Sequence, residues 1–464
     1  MSKIRLEIIE NIADIKKVVK KRLNILNKSF GKGYNMKRFA IDNLLRWKVS
    51  KQRKPLIIEG ARQVGKTWLM QEFGARHYKN TIYVNFDRNE KAYSRFETDL
   101  DPKRIMRDLS IQFDTDITPE TLIIFDEIQE CKNALRSLKY FCEEASEYSV
   151  ISAGSLLGVA LHDGDSFPVG KVDFLKMYPL SFYEFLEALG KNRLLQVLRE
   201  KDLDAIASFK DTLIELLRTY YFVGGMPAAV TSFANSGDFS NVRTVQESIL
   251  NAYNLDFSKH IPLSSYPRVG QIWDSIPRQL SKESKKFVYN VVEPKAKSKE
   301  YSVALAWLVK TGLAYSINKI SKPAMPLKAY EEDTYFKLYA LDVGLLGAMS
   351  GLTTKALIEG DRVFTEFKGA LTEQYVLQEM KAIGQKNINY WTSGATAEVD
   401  FVVQLDDDIV PIEVKASVNN QAKSLKVYRE KFSPVKVFRI SLNDYNADNG
   451  LYNIPLYAME SFIK

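Results

Sequence analysis

The chain has 464 residues, of which 45% are hydrophobic and 26% are charged, a composition typical of globular proteins. At roughly 150 residues per domain this length predicts two to four domains, and no run of about 18 uncharged apolar residues predicts a membrane span. The net charge is +8, but residues 1–54 hold sixteen Lys and Arg against four Asp and Glu, a net of +12, which leaves −4 on the remaining 410 residues. The basicity is therefore local, and overall charge is no argument for nucleic-acid binding.

Cysteine content and the N-terminus predict the compartment. The two cysteines, Cys131 and Cys142, form neither a disulfide framework nor a zinc-binding pattern. The N-terminus lacks the apolar core and small-residue cleavage site of a secretory signal. We expect a cytoplasmic protein without a membrane association.

Residues 1–35 are predicted to form a basic amphipathic N-terminal extension. Apolar residues recur at helical spacing over residues 4–27, and the breaker sequence "GKGYN" follows. A second methionine, Met36, opens the next segment. The extension is either an added helix or the result of an over-assigned start codon.

Residues 36–190 are predicted to form an α/β domain with a parallel sheet. Four apolar runs, "PLIIE" (55–59), "TIYVNF" (81–86), "TLIIFD" (121–126) and "YSVISAG" (148–154), alternate with helical segments. Strands that are apolar almost throughout indicate a parallel sheet covered by helices on both faces.

The first of these strands leads into "GARQVGKT", residues 60–67, which fits the phosphate-binding pattern GxxxxGK[ST]. Glycines let such a loop turn its backbone N–H groups toward phosphate oxygens, and the following helix directs its positive end to the same place. Lys66 is predicted to reach the β- and γ-phosphates and Thr67 to bind Mg²⁺. The predicted nucleotide-binding residues of this P-loop are Gly60, Ala61, Arg62, Gln63, Val64, Gly65, Lys66, Thr67 and Trp68.

A second motif, "LIIFDE" at residues 122–127, completes the predicted ATP and Mg²⁺ site. Asp126 is predicted to hold the metal through water and Glu127 to polarise the attacking water. Ser152 or Ser155 either contacts the γ-phosphate or belongs to an ordinary strand end. The arginine that would complete hydrolysis stays open among three residues: Arg136, Arg193 and Arg218.

The middle of the chain changes character twice. Residues 191–280 are predicted to form a helical lid, broken at "FVGGMPAAV". Residues 281–350 give helix, turn, helix and short strands, which indicates either a winged-helix-like region or a plain helical connector. Two lysine clusters here are either a solvated face or phosphate contacts: Lys282, Lys285, Lys286 and then Lys295, Lys297, Lys299.

The order of these motifs resembles a family. "GARQVGKTWL", "LIIFDEIQE", "SAGSLLGVAL", "FPVGKVDFLKMYPLSFYEFL", "FVGGMPAAV" and "YFKLYALDVGLL" follow one another as in a prokaryotic group of AAA+-like P-loop ATPases. Members of this group carry a C-terminal domain of the restriction-endonuclease-like, or PD-(D/E)xK, superfamily. The resemblance covers about residues 36–464 and implies ATP binding, hydrolysis, a winged-helix segment and a nuclease-like tail.

Residues 360–464 are predicted to form that small α/β nuclease-like domain, with a long amphipathic helix followed by strands. Alternation in "PIEVK" puts Glu413 and Lys415 on one face of a strand, where Asp400 of "EVDFVV" can lie beside them. Paired carboxylates bind a hard divalent cation, and Lys415 can act on the attacking water. Glu373 matches the further acidic residue used in the superfamily. The alternative is a salt-bridged strand pair without catalysis.

The sequence therefore predicts a P-loop ATPase coupled to a nuclease-like domain that engages DNA in one nucleotide state. Two alternatives stay open: a nucleotide-controlled interaction protein and a protein-remodelling ATPase, in both of which the C-terminal domain binds a partner without cleavage. The predicted partners are ATP, with DNA and a protein partner as alternatives, and oligomerisation is left open.

Overall fold

The computed structural model describes residues 37–87, 93–154, 167–261, 265–354, 365–394, 397–416 and 423–463. The predicted N-terminal extension, residues 1–35, lies outside these ranges. The strands are β1 Leu56–Glu59, β2 Asn80–Asn85, β3 Thr121–Asp126, β4 Ser149–Gly154, β5 Asp173–Lys176, β6 Ala314–Ile320, β7 Glu331–Ala340, β8 Ile388–Thr392, β9 Glu398–Leu405, β10 Asp408–Val414, β11 Val437–Ser441, β12 Asn446–Asp448 and β13 Leu451–Pro455. The helices are α1 Ala40–Val49, α2 Lys66–His77, α3 Pro102–Phe113, α4 Lys132–Glu144, α5 Phe182–Ala188, α6 Asn192–Glu200, α7 Leu203–Ser208, α8 Lys210–Val223, α9 Pro227–Ser236, α10 Phe239–His260, α11 Tyr266–Leu280, α12 Tyr289–Val292, α13 Ser298–Lys310, α14 Val343–Met349, α15 Thr365–Ala382, α16 Lys423–Phe432 and α17 Met459–Ile463.

The N-terminal sheet is parallel, as predicted, with the strand order β2-β3-β4-β1-β5. Its strands are apolar because both faces are covered: Ile57 packs into one core and Ile58 into the other. Strand β5 was not predicted, because Phe174 is 52% exposed and the strand alternates instead of forming an apolar run.

The register of this sheet brings two predicted motifs to one edge. Glu59 at the end of β1 pairs with Gly154 at the end of β4, and Asp126 of β3 pairs with Ala153 beside it. Because all these strands run in the same direction, the loop after β1 and the carboxylate of Asp126 lie at the same carboxyl edge. This edge is where ligands bind in open α/β sheets.

The segment after β5 is helical from α5 to α11, in agreement with the predicted pattern. Helix α5 begins with a capping box, in which Ser181 and Glu184 satisfy each other's backbone N–H groups. The predicted break at "FVGGMPAAV" lies between α8, which ends at Val223, and α9, which begins at Pro227.

The buried Asp342 joins three separate parts of the chain at this break. Its carboxylate accepts hydrogen bonds from Gly225 N at 2.6 Å, from Leu345 N at 3.0 Å and from Gln378 Nε2 at 3.1 Å. A side chain at Gly225 would lie 2.1 Å from Leu180 O, so the close approach requires glycine. Asp342 thus links the helical segment, α14 and the C-terminal unit, which comprises the elements from α15 to α17.

The second sheet has eight strands in the order β12-β13-β11-β10-β9-β8-β6-β7. The antiparallel β6–β7 pair follows α12 and α13, so the predicted order of helices and strands is observed, while the winged-helix identity stays a prediction. Strand β6 pairs in parallel with β8 at Lys319 and Tyr390. The β6–β7 pair therefore extends the sheet of the C-terminal unit.

Helix α15 lies at the centre of the C-terminal unit, and the prediction of an amphipathic helix is wrong. Residues 370–380 are buried on every side, including polar ones. Their polar groups have tertiary partners: Gln374 donates to Ala340 O at 2.7 Å, and Glu379 accepts from Phe182 N at 2.9 Å. In the sequence, buried polar side chains at helical spacing look the same as a solvent-exposed helix face, because their hydrogen-bond partners are distant in sequence.

Among the described residues, no helix is both long and apolar enough to cross a membrane.

Candidate functional site

The P-loop connects β1 to α2 and has the backbone that its sequence requires. Gly60, Gln63 and Gly65 have positive φ values of 149°, 65° and 94°. A side chain at Gly60 would lie 2.4 Å from Met177 O, so this position must be glycine. Gly65 then caps the N-terminus of α2, where unpaired backbone N–H groups and the helix dipole favour an anion.

The Lys66 side chain lies along the loop. Its ammonium donates to Gly60 O at 2.7 Å and to Ala61 O at 2.8 Å, and the side chain is 7% exposed. Burial lowers the pKa of Lys66 to about 8, while the charges of Glu127 and Asp126 act in the opposite direction. The loop therefore holds an ammonium group beside two carboxylates.

The predicted metal-binding pair, Thr67 and Asp126, is assembled across two elements. Thr67 Oγ1 at the start of α2 donates to Asp126 Oδ2 at the end of β3, over 2.7 Å. Tyr83 OH donates to the same oxygen at 2.8 Å, and Glu127 N donates to Oδ1 at 3.1 Å. A hydroxyl and a carboxylate in contact are hard oxygen donors that fit Mg²⁺.

Glu127 follows Asp126 directly and is placed by an unusual backbone conformation, with φ at 51°. Its Oε2 accepts a hydrogen bond from Gln129 Nε2 at 2.7 Å. This contact orients the carboxylate next to the loop, consistent with the electrostatic effect of Glu127 on Lys66.

Arg38 is a buried contact of the P-loop that the sequence did not reveal. Its guanidinium donates to Val64 O at 2.7 Å, to Tyr178 O at 2.8 Å and, through Nε, to Glu184 Oε1 at 3.0 Å. Both charged side chains of the pair are buried. Arg38 therefore fixes the loop to the start of α5.

Helix α10 of the helical segment also contacts the P-loop. Tyr253 OH donates to Arg62 O at 2.9 Å, and the Arg62 guanidinium pairs with Asp256. Pro227, the first residue of α9, lies 3.5 Å from the position a side chain would take at Gly65. The helical segment thus lies directly against the loop.

The other residues that the sequence predicts as nucleotide contacts lie in different environments. Ala61 and Val64 are buried and Trp68 packs partly against the core, so these residues offer the loop backbone and packing. Ser152 is fully buried within β4, two residues before its end, and its hydroxyl donates to Leu56 O at 3.2 Å. This geometry favours a role in the sheet over contact with phosphate, and Ser155 lies outside the described residues.

The structure also brings together the predicted residues of the C-terminal unit. Asp400 on β9 accepts from Val414 N on β10 at 2.8 Å, which places it beside Glu413. Lys415 Nζ lies 2.5 Å from Glu413 Oε1. Burial raises the pKa of Asp400 well above its usual range, and the charges of Glu373 and Glu413 act in the same direction.

Two lysines that were not predicted as site residues join these carboxylates. Lys285 precedes α12 and pairs with Glu373. Lys337 on β7 is fully buried, with its Nζ 2.5 Å from Glu398 Oε1 and 3.9 Å from Glu373 Oε2. Although burial acts to raise it, the charges of Lys285 and Lys337 hold the pKa of Glu373 below its ordinary value.

The metal site predicted at Glu373, Asp400 and Glu413 stays a prediction. No group of three or more His, Cys, Asp or Glu side chains within the described ranges is placed to hold a metal ion. One oxygen, Glu413 Oε2, is buried without a hydrogen-bond partner, but one open oxygen is not a metal-binding set. Ammonium groups pair with Glu373 and Glu413, whereas Asp400 accepts from a backbone N–H group.

Similarity to known families defines the class of the N-terminal domain. A family model described as an AAA domain matches residues 52–186, which include the P-loop, Asp126 and all five strands of the parallel sheet. Residues 52–186 therefore match an AAA domain that contains a P-loop.

Two further family models match the rest of the chain. Both are described as domains of unknown function: DUF8612 at residues 214–356 and DUF4143 at residues 368–459. The second contains the Asp400–Lys415 motif, and its description assigns no activity, so the nuclease-like identity stays a prediction. No curated protein matches the chain.

Three solved structures show distant similarity. A Walker-type ATPase of Pyrococcus abyssi is 17% identical with a TM-score of 0.43, over 68% of this chain and 96% of that one. An ORC1 protein of Aeropyrum pernix in complex with DNA is 12% identical with a TM-score of 0.29, over 67% and 90%. The RuvB Holliday junction branch migration motor of Thermotoga maritima is 14% identical with a TM-score of 0.27, over 65% and 89%.

Proposed function

We propose that the chain is a Mg²⁺-dependent ATPase whose nucleotide state is transmitted to the C-terminal unit. The observation that carries the proposal is the 2.7 Å contact between Thr67 and Asp126 at the mouth of a complete P-loop. Hydroxyl and carboxylate oxygens at these two positions are what Mg²⁺ requires in phosphoryl transfer.

The residues of the site would divide the reaction as follows. Backbone N–H groups of the loop bind the phosphates, and Lys66 leaves the carbonyls of Gly60 and Ala61 to pair with the β- and γ-phosphates. Thr67 and Asp126 would hold Mg²⁺, which would neutralise charge on the phosphate oxygens. Glu127 accepts a proton from the attacking water while the water oxygen bonds to the γ-phosphorus. The bond between the γ-phosphorus and the β–γ bridging oxygen breaks, and ADP and phosphate leave.

The contacts around the P-loop provide a route for coupling to the C-terminal unit. Arg38 connects Val64 O to Glu184, the capping residue of α5. At the start of α5, Phe182 N donates to Glu379 of α15, and Ser181 Oγ donates to Glu460 Oε2 at 3.2 Å. A shift of the loop on nucleotide binding would therefore move elements packed directly on the C-terminal unit.

We propose further that the C-terminal unit binds a partner in one nucleotide state, with DNA as the first candidate and a protein as the second. Cleavage is not part of the proposal, because lysines pair with Glu373 and Glu413, two of the three carboxylates that would have to bind the metal. The direct packing of the C-terminal unit on α5 supports the proposal that partner binding depends on the nucleotide state.

ATP turnover tests the proposal. Wild type should hydrolyse ATP only with Mg²⁺, and Glu127→Gln should lower kcat by about 10²–10⁴-fold while ATP still binds, because a positioned base is lost. The control is Lys103→Ala, an exposed residue of α3 in the same domain, which should leave turnover unchanged. Equal turnover in wild type and Glu127→Gln would contradict the assignment of the base.

The coupling needs a separate measurement. Binding of duplex and single-stranded DNA is compared in the presence of ADP and of a non-hydrolysable ATP analogue. We expect the affinity to differ between the two nucleotides. Equal affinity for DNA, together with turnover that DNA does not change, would remove DNA from the proposal and direct the search to a protein partner.

A further inference from the structure

Four carboxylates and three lysines form a partly buried cluster where the β6–β7 pair meets the C-terminal unit. The carboxylates are Glu373, Glu398, Asp400 and Glu413, and the lysines are Lys285, Lys337 and Lys415. We propose that Lys337 is the resident cation of this cluster, in the place of a divalent metal, and that it locks the β6–β7 pair onto the C-terminal unit. The inference concerns a different site from the ATPase proposal and does not depend on it.

The position of the Lys337 ammonium is the first observation that supports the proposal. Its side chain is fully buried, and an unpaired buried ammonium is strongly disfavoured. It lies between Glu398 at 2.5 Å and Glu373 at 3.9 Å, with its Nζ 4.9 Å from the centre of the Tyr390 ring. The fully buried ammonium is therefore surrounded by two carboxylates and an aromatic face, which contact it electrostatically and without a hydrogen bond.

The other ammonium groups leave little negative charge for a metal. Lys285 pairs with Glu373, and Lys415 lies 2.5 Å from Glu413. Asp400 accepts a backbone hydrogen bond from Val414 N. A divalent cation placed among these residues would be attracted by four carboxylates but repelled by three ammonium groups, so the net attraction is much weaker than in a site of carboxylates alone.

Two of the three lysines come from a different part of the chain than the carboxylates. Lys285 and Lys337 belong to residues 214–356, whereas the carboxylates belong to residues 368–459, which a different family model matches. Strands β6 and β8 already pair at Lys319 and Tyr390, close to Lys337. The ion pairs therefore add a charge-dependent contact at the point where the two parts share one sheet.

The first measurement is a titration of the full-length wild type with Mn²⁺ in the absence of nucleotide. We expect no Mn²⁺ site that Asp400→Asn removes, since lysines occupy the cluster. One Mn²⁺ bound per chain and lost in Asp400→Asn would overturn the proposal.

The second measurement is thermal unfolding of Lys337→Met in metal-free buffer. Removing one partner of a buried ion pair should lower Tm by roughly 5–10 °C. The matched control is Lys328→Met, an exposed lysine in the segment between β6 and β7, which should shift Tm by far less. An equal shift in both variants would overturn the proposal.

A rescue separates pairing from packing. The double variant Lys337→Met/Glu398→Gln removes both charges and should recover part of the lost Tm. If Lys337 only fills space, the double variant will show no recovery, and this result would contradict the proposed ion-pair contact. If Lys337→Met does not fold, the Mn²⁺ titration of wild type decides the question. ATP turnover of wild type is unaffected by either result, so failure here is distinguishable from failure of the ATPase proposal.

Discussion

Replacing Arg38 with alanine tests whether the P-loop is held by a buried ion pair. The variant loses hydrogen bonds to Val64 O and Tyr178 O and leaves Glu184 buried without its cationic partner. Removing one member of a buried pair costs about 3–5 kcal/mol. Two backbone donors to Glu184, from Phe39 N at 2.7 Å and Ser181 N at 3.1 Å, remain and favour the lower end of that range.

The matched control is the neighbouring residue. The Lys37 side chain is 58% exposed and lies 3.8 Å from Glu187, so Lys37→Ala should cost less than about 1 kcal/mol. At about 2–4 °C per kcal/mol, Arg38→Ala should lower Tm by roughly 6–12 °C. Thermal unfolding of both variants gives the comparison, and a Tm for Arg38→Ala within about 2 °C of the control would refute the reasoning. The KM for ATP should rise in Arg38→Ala and stay unchanged in the control.

Three further predictions follow from single positions. Asp342→Asn places an amide N–H₂ group against a buried backbone donor and should lower the free energy of unfolding in urea by about 1–3 kcal/mol. The control is Asp333→Asn at an exposed position, which should be neutral. Equal effects of the two variants would contradict the role of Asp342. Gly60→Ala would bring a methyl group within 2.4 Å of Met177 O and should abolish ATP binding in calorimetry, so retained affinity would show that the loop tolerates a side chain. Because Lys66 must be protonated to bind phosphate and its pKa is about 8, ATP affinity should be constant below that pH and fall about tenfold per pH unit above it. Lys66→Arg should not show this fall, and a flat profile in wild type would be inconsistent with the lowered pKa.

The ATPase domain was predictable because its signals are local. Strands predicted at 55–59 and 81–86 are observed at Leu56–Glu59 and Asn80–Asn85, since apolar runs that are buried on both faces are visible in sequence. The P-loop is contiguous, and its pattern specifies backbone geometry residue by residue.

The contacts that surround the P-loop were not predictable. Arg38 and Tyr253 reach it from 26 and 191 residues away, and neither residue stands in a recognisable motif. Burial of an arginine or a tyrosine depends on tertiary packing, to which local patterns do not respond.

In the C-terminal site, a sequence motif identifies only the residues that lie close together in the sequence. The pairing of β9 with β10 agrees with the prediction, whereas β10 ends at Val414, one residue before Lys415, which still pairs with Glu413. The motif omitted Lys337, which lies 63 residues before Asp400 and reduces the negative charge of the cluster. Lys285 had been assigned to a solvated face or a phosphate contact, yet it pairs with a buried carboxylate.

Binding of ATP and Mg²⁺ to wild type and Lys66→Ala, measured by calorimetry, tests the central claim most directly. The account predicts one ATP per chain in wild type. It also predicts a large loss of affinity in Lys66→Ala, because the ammonium at the loop is removed while the fold is kept. The absence of ATP binding in wild type, or equal affinity in the two proteins, would contradict it.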